Sequence, residues 1–378
     1  GDDDEDMGAD MGAPERDREM GLGPDAGPGA EEDMGPSGPA DLDELLEEER
    51  DALEVPALAA LVFDADGAVA LGAVGTRRAG ESIPVTEQDV WHLGSCTKAM
   101  TATLVARLVE DEVVDFQTPL SEIFADAQLN AAWADQTLAD LLRHEAGAPA
   151  SLAQSYPTLW ESMWQRAGDP PAQVRAAVAR ELLLDQPPAP QGGFTYSNAS
   201  YLLVGAALEQ RTGSSWEQLM RQEVFEPLNM DSCGFGPPAS PGQTDQPWGH
   251  RHEGGAFVPV EPGAMADNPP ALGPAGTVHC SLQDWAKFGR VHLGVGPQGY
   301  LGEETLQTLQ DPSMSAQNYA MGWYAVARDW AGSAPALNHA GSNTMNYALA
   351  WLAPAKDLGL LIVLNAAPPN VDQDADGL

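Results

Sequence analysis

The sequence predicts a mixed α/β (α+β) chain, in which a mostly antiparallel sheet flanked by helices is interrupted by an inserted all-helical lobe. Three observations carry this. Apolar runs of strand length, joined by tight-turn residues, cluster towards both ends of the chain. Between about 130 and 235, apolar residues recur instead at helical spacing, as in SNASYLLVGAALEQRTGSSWEQLMRQEVF. The 378 residues are enough for one large domain or two smaller ones around a sizeable core. The expected layout is a sheet domain from 41–130 and 270–370, with a helical lobe and substrate-cleft loops at 131–269. Two lobes with a cleft between them fit this order.

Residues 1–40 hold thirteen Asp and Glu against two Arg, set among Gly and Pro with almost nothing to bury. A disordered acidic tether is expected there. Its opening Gly-Asp-Asp-Asp resembles the segment that follows the lipidated cysteine of a bacterial lipoprotein. That implies a lipid anchor lost from the N-terminus and an extracytoplasmic, envelope-tethered location; the stretch reads equally as a plain acidic tail. Order is expected from residue 41. ADLDELLEEERDALEV carries Leu42, Leu45, Leu46 and Leu53 at helical spacing, with acids in its early turns. ALAALVFDADGAVALGAVG reads as two strands around an Asp-Gly turn. CTKAMTATLVARLVEDEVV is a long, mostly apolar helix with Gly94-Ser95 at its start. From about 272 strands return, ending in MNYALAWLAPAKDLGLLIVLNAA, two strands around a Pro-Ala-Lys-Asp turn.

A net charge of −39 argues against nucleic acid or an anionic membrane as partner, because both need a basic patch. The longest apolar run, LGLLIVLNAA, falls well short of the ~20 residues of a membrane-spanning helix. Cys96, Cys233 and Cys280 show no C-x-x-C or zinc spacing. Three separate core thiols are expected, with a Cys233–Cys280 bridge as the alternative. His250 and His252 in WGHRHEGG lack a third ligand, so no metal site and no cofactor are expected.

The chemistry starts at WHLGSCTKAM. The chain has only three lysines, and one of them, Lys98, stands three places after Ser95 at the head of a helix. Positions i and i+3 share a helix face. The first turn also supplies a free N–H and the positive end of the helix dipole. A serine hydroxyl needs a base to become a nucleophile, and a lysine serves as one only when burial or nearby charge lowers its pKa. The flanking AMTATLV supplies an apolar wall. Two further stretches matter. GGFTYSNASYLLVG places Tyr196 and Asn198 just before a helix, where Tyr196 can relay a proton and Asn198 can hold both lysine and substrate; helix capping by Ser197 or Asn198 explains the stretch equally well. LNHAGSNTMNYALAWL places His339, Gly341 and Ser342 on a small-residue strand edge, with the Ser342 N–H aimed inward.

Ser-x-x-Lys, then Tyr-Ser-Asn, then His-x-Gly, in that order, resemble the serine β-lactamase and penicillin-recognising enzymes. The branch indicated contains class C β-lactamases, D-alanyl-D-alanine carboxypeptidases, D-aminopeptidases and β-lactamase-like esterases. The resemblance runs from about 42 to 367 and takes in LADLLRHEAGAP, GPAGTVHCSLQDWAKF and YAMGWYA. It implies a β-lactamase-like fold, a bacterial extracytoplasmic setting and a small-molecule or peptide-like substrate, with ester, amide and β-lactam all left open. By the same resemblance Ser95 is the nucleophile of an acyl-enzyme, Lys98 its partner and Tyr196 the general base or acid. Asn198 becomes a substrate- and lysine-binding residue, and the N–H groups of Ser95 and Ser342 form the oxyanion hole. Lys98 is expected to ionise Ser95 and to bias Tyr196 towards phenolate; which of the two takes the first proton stays open. A fold that has kept its shape as a binding or scaffold protein is the alternative. Two departures stand out. His339 occupies a position usually held by lysine in β-lactamases, which shifts weight from carboxylate-bearing substrates towards esters and amides. The family also commonly ends in a helix packed on the sheet, whereas NAAPPNVDQDADGL suggests that helix is absent or the chain truncated.

Overall fold

The computed structural model describes residues 40–369, apart from Met314 and Ala316. The acidic tether, its lipoprotein-like opening and any helix after residue 369 lie outside the described residues. In chain order the strands are β1 Ala40–Asp41, β2 Ala57–Phe63, β3 Ala68–Gly75, β4 Val90–His92, β5 Gly234–Phe235 and β6 His250–Glu253. They continue with β7 Ala256–Pro259, β8 Val278–Ser281, β9 Tyr324–Val326, β10 Ala336–Ser342, β11 Tyr347–Ala353 and β12 Leu358–Leu364. Seven of them form one sheet in the order β1-β3-β2-β12-β11-β10-β9. Every neighbouring pair in it is antiparallel except β1 with β3. Residues from both ends of the chain therefore meet at its centre, where β2 pairs with β12.

The apolar runs follow from the position of these strands. Side chains alternate faces along a strand. In β2, Ala57, Ala59, Leu61 and Phe63 enter one core, while Leu58 and Ala60 enter another on the opposite face. β12 splits the same way, with Leu361 and Val363 on one side and Ile362 and Leu364 on the other. Both faces are covered, so neither strand alternates with polar residues. The β2–β3 hairpin closes through Asp64, whose Oδ1 accepts the N–H groups of Asp66 and Gly67 at 2.8 and 3.1 Å. The β11–β12 link is the short turn Pro354–Lys356, with Asp357 at a φ of 51°.

Helix α1, Asp43–Leu53, lies on the outer core through Leu46, with Leu42 and Leu53 partly buried beside it. Helix α2, Thr97–Glu110, follows the 3-10 turn Gly94–Cys96 and is buried on nearly every side. Such a helix is central rather than amphipathic. Its core is continuous with the inserted segment: Val174, Leu202 and Trp216 join Leu61 and Leu104 in one cluster. The insertion is helical only to about residue 230. Beyond it the Gly- and Pro-rich chain cannot sustain a helix, and it forms β5 and the β6–β7 hairpin instead. No helix among the described residues is long and apolar enough to cross a membrane.

One expectation is corrected. Cys233 and Cys280 form a disulfide, and only Cys96 is a free thiol. The cause is pairing: β5 runs antiparallel to β8 with Gly234 opposite His279, so the two cysteines flanking that pair stand 4.2 Å apart at Cα. A separation of 47 residues hid this in the sequence. His250 also has a structural explanation, since Nδ1 meets Asn365 O at 2.7 Å and Nε2 accepts from Ala79 N–H at 2.9 Å. Among the described residues no group of three or more metal-ligating side chains converges.

Candidate active site

Between Trp91 and Met100 every residue is buried except Ser95, which is partly open to solvent. The reason is local. The turn Gly94–Cys96 lies against β10, and a Cβ on Gly341 would fall 2.7 Å from Ser95 N, one on Gly94 2.5 Å from Ser342 N. No side chain fits at either glycine, and Gly94 also takes a φ of 49°. This backbone-to-backbone contact brings the Ser95 and Ser342 amides to its two sides. β9 pairs with β10 only over Ala336–Asn338, which leaves the edge from His339 to Ser342 without a strand partner among the described residues. Ser342 itself is exposed, and its Oγ accepts from Thr344 N–H.

Lys98 is wholly buried. Its Nζ lies 2.9 Å from Ser95 Oγ, 2.8 Å from Asn198 Oδ1 and 2.8 Å from Ala275 O. Burial lowers its pKa from 10.5 to about 7. The helix around it meets the cost of burying polar groups by bonding each one. Thr97 Oγ1 accepts from Val278 N–H at 3.1 Å, Thr101 donates to Pro274 O at 2.8 Å, and Thr103 meets His292 Nε2 at 3.2 Å. Cys96 points away from Ser95 towards His339 O, and burial pushes its thiol pKa up.

Tyr196 and Asn198 flank Ser197, the cap of the helix Asn198–Thr212, whose Oγ accepts from Ser200 N–H. The Tyr196 ring centroid is 4.8 Å from Lys98 Nζ. Here the phenolate expectation is corrected. Burial among rings pushes Tyr196 well above the usual tyrosine pKa, which favours the phenol. The rings are His144, Tyr319 and His339, with centroids 4.5, 6.3 and 6.3 Å from that of Tyr196. His144, at a φ of 61°, fixes the segment before the helix: its Nδ1 accepts from Ser197 N–H and its carbonyl from Thr195 N–H. Burial holds it neutral, with its pKa far below 6.5.

His339 is brought to the same cluster but faces inward. Nδ1 lies 2.6 Å from Ala340 O, which can only accept, so Nε2 is the acceptor for the Tyr319 hydroxyl at 3.2 Å. Burial, and then the charge of Lys98, lower its pKa to about 3. The ring is neutral and offers no cation to a substrate.

The structure thus brings Ser95, Lys98, Tyr196, Asn198, Gly341 and Ser342 together, with the His339 ring buried beside Tyr196. Sequence reasoning missed Ala275 O as a lysine acceptor, because a carbonyl carries no residue-type signal. It also missed His144 and Tyr319, although both stand in stretches singled out for their resemblance, RHEAGAP and YAMGWYA.

Comparison with known proteins bears on the family and the fold. Penicillin-binding protein 4 of Amycolatopsis lactamdurans is 28% identical over 309 residues, covering 76% of this chain and 75% of its own. The unguisins hydrolase ungD' of Aspergillus campestris is 24% identical over 77% of this chain, which spans only 55% of that relative. The D-amino acid amidase of Ochrobactrum anthropi SV3, solved with L-phenylalanine amide, superposes with a TM-score of 0.67 at 20% identity, covering 86% of this chain and 90% of its own. It shares the fold. The Beta-lactamase family model matches residues 42–378, nearly all of the chain outside the acidic leader. By the span of that match this chain belongs to the beta-lactamase family, a family of serine hydrolases.

Proposed function

We propose that the protein hydrolyses a neutral ester or amide through an acyl-enzyme on Ser95. The observation that carries this is the coordination of Lys98. Two acceptors that cannot donate to it, Asn198 Oδ1 and Ala275 O, take two N–H bonds of a neutral amine. The remaining lone pair then faces Ser95 Oγ, and a pKa of about 7 leaves much of the lysine unprotonated near neutrality. Ser95 Oγ attacks the carbonyl carbon as its proton passes to Lys98. The carbonyl oxygen becomes an oxyanion facing the Ser95 and Ser342 N–H groups. On collapse the C–O or C–N bond breaks, and Tyr196 O–H protonates the leaving group and is replenished from the Lys98 side. Water then attacks the ester on Ser95 by the reverse proton route. A positioned acid–base group contributes roughly 10²–10⁴ in rate and one oxyanion donor roughly 10²–10³.

A substrate without a free carboxylate is favoured because His339 is neutral and buried where a cation would be needed. The amide solved with the structural neighbour likewise has no carboxylate. An extended substrate can lie along the open β10 edge. The disulfide supports an extracytoplasmic location, since such bonds persist in oxidising compartments. The test is intact-protein mass after exposure to a fluorophosphonate, with Ser95→Ala alongside. A single adduct on the wild type that the variant lacks is expected. A folded wild type that takes no adduct would overturn the reading in favour of a non-catalytic binding protein.

A further inference from the structure

Near Ser95 and Ser342 lies a buried carboxylate that the mechanism does not use. Asp267, 5% exposed, belongs to the loop before the turn Gly273–Gly276. Its Oδ1 accepts two hydrogen bonds, from Asn343 Nδ2 at 3.1 Å and Asn268 N at 2.6 Å, and His92 Nε2 stands 2.8 Å from it without hydrogen-bond geometry. Each leads to the site. His92 Nδ1 accepts from Gly94 N–H at 3.1 Å, which puts the ring proton on Nε2, on the Asp267 side, and ties the ring to the nucleophile turn. Asn343 follows Ser342 directly. Its Oδ1 accepts from Met345 N–H, Asn346 N–H and Asn346 Nδ2, which shapes the turn out of β10. Asn268 Nδ2 donates to Gly276 O at 3.1 Å, next to the Ala275 carbonyl that receives Lys98.

We propose that Asp267 is a positioning residue for acyl transfer, setting the Ser95 and Ser342 amides relative to each other through His92 and Asn343. The inference rests on the reading of Ser95 as nucleophile. Its physical basis is tolerance: an oxyanion hole works only when its donors meet the developing charge at about 2.7–3.1 Å, and displacement by ~1 Å costs about 10²-fold. The two amides come from chain segments more than 240 residues apart, so local structure cannot set their spacing. The Gly94–Gly341 contact limits how close they approach; the Asp267 hub limits how far they separate. Stability alone is a poor explanation for the hub. Asp267 Oδ2 is buried with no hydrogen-bond partner among the described residues, an arrangement that costs free energy.

The test is fluorophosphonate inactivation resolved into KI and kinact at a temperature well below unfolding, for wild type, Asp267→Ala, Asp267→Asn and Asn343→Ala. Asp267→Ala is expected to lower kinact by about 10²-fold with KI unchanged. Asp267→Asn, which keeps Oδ1 as acceptor, should recover most of it with no fall in Tm. A purely structural role would lower Tm and leave kinact of the folded protein alone. A folded Asp267→Ala with kinact within about twofold of wild type overturns the proposal. Should that variant not fold, Asn343→Ala decides: loss of kinact at constant KI supports the hub, and wild-type kinact refutes it. A wild type that is never labelled at Ser95 instead refutes the hydrolase reading, and this proposal falls with it.

Discussion

In β2 and β12 every buried side chain is apolar, and each strand feeds two cores by simple alternation. One layer away, α2 is just as buried yet carries Lys98, Thr97, Thr101 and Thr103 inside. In the sheet, burial is favourable by itself, at about 1.5–3 kcal/mol for each large side chain. In α2 each polar group must find a partner, and the partners come from the helix Asn198–Thr212, the Gly273–Gly276 turn, β8 and the helix Leu282–His292. The sheet makes the molecule stable; the polar side of α2 spends part of that stability on a lysine held near neutrality.

Lys98→Met should sharpen the contrast most. It removes the base while filling similar volume, so Ser95 acylation should fall by roughly 10²–10⁴. Replacing a buried charge with an apolar group is often neutral or stabilising, so Tm should hold or rise. A Tm loss as large as that of a core truncation would break the comparison. Leu61→Ala, at the β2–β12 centre, is the converse. It should cost about 2–5 kcal/mol in urea unfolding, while the acylation rate of the folded protein stays at the wild-type value. Loss of rate there would mean the sheet and site are not separable. The smallest effect is on pH. Acylation should climb about tenfold per unit and bend near pH 7, where Lys98 loses its proton. Its pKa is lowered on folding, so between about 7 and 10.5 the unfolded chain binds the extra proton and the wild type gains stability as pH rises. The stability difference between Lys98→Met and wild type should therefore shrink across that window. A pH-independent difference would place the lysine pKa elsewhere.

Much of the frame was legible from residue order. The two hairpins, α2 and the Ser95–Lys98 face all follow from spacings under twenty residues, where periodicity and turn chemistry act. The motifs Tyr196-Ser197-Asn198 and His339-Ala340-Gly341-Ser342 were visible as types, but their roles were not equally so. Asn198 does meet Lys98. His339 is buried and faces Tyr319, which its neighbours in sequence could not reveal. The Cys233–Cys280 bridge depends on β5 pairing with β8, and the Asp267 hub on three segments from different parts of the chain.

The sequence by itself determined which residues could do chemistry and which segments could be helices or strands, because helix faces, strand faces and turns are properties of near neighbours. The tertiary structure decided their protonation and alignment. Lys98 is held near neutrality and Tyr196 as a phenol because burial disfavours the charged form of each, and burial is imposed by residues far away in the chain. The close approach of the Ser95 and Ser342 segments was decided in the same way, by Gly94 and Gly341, which meet only once the sheet, helices and loops have packed.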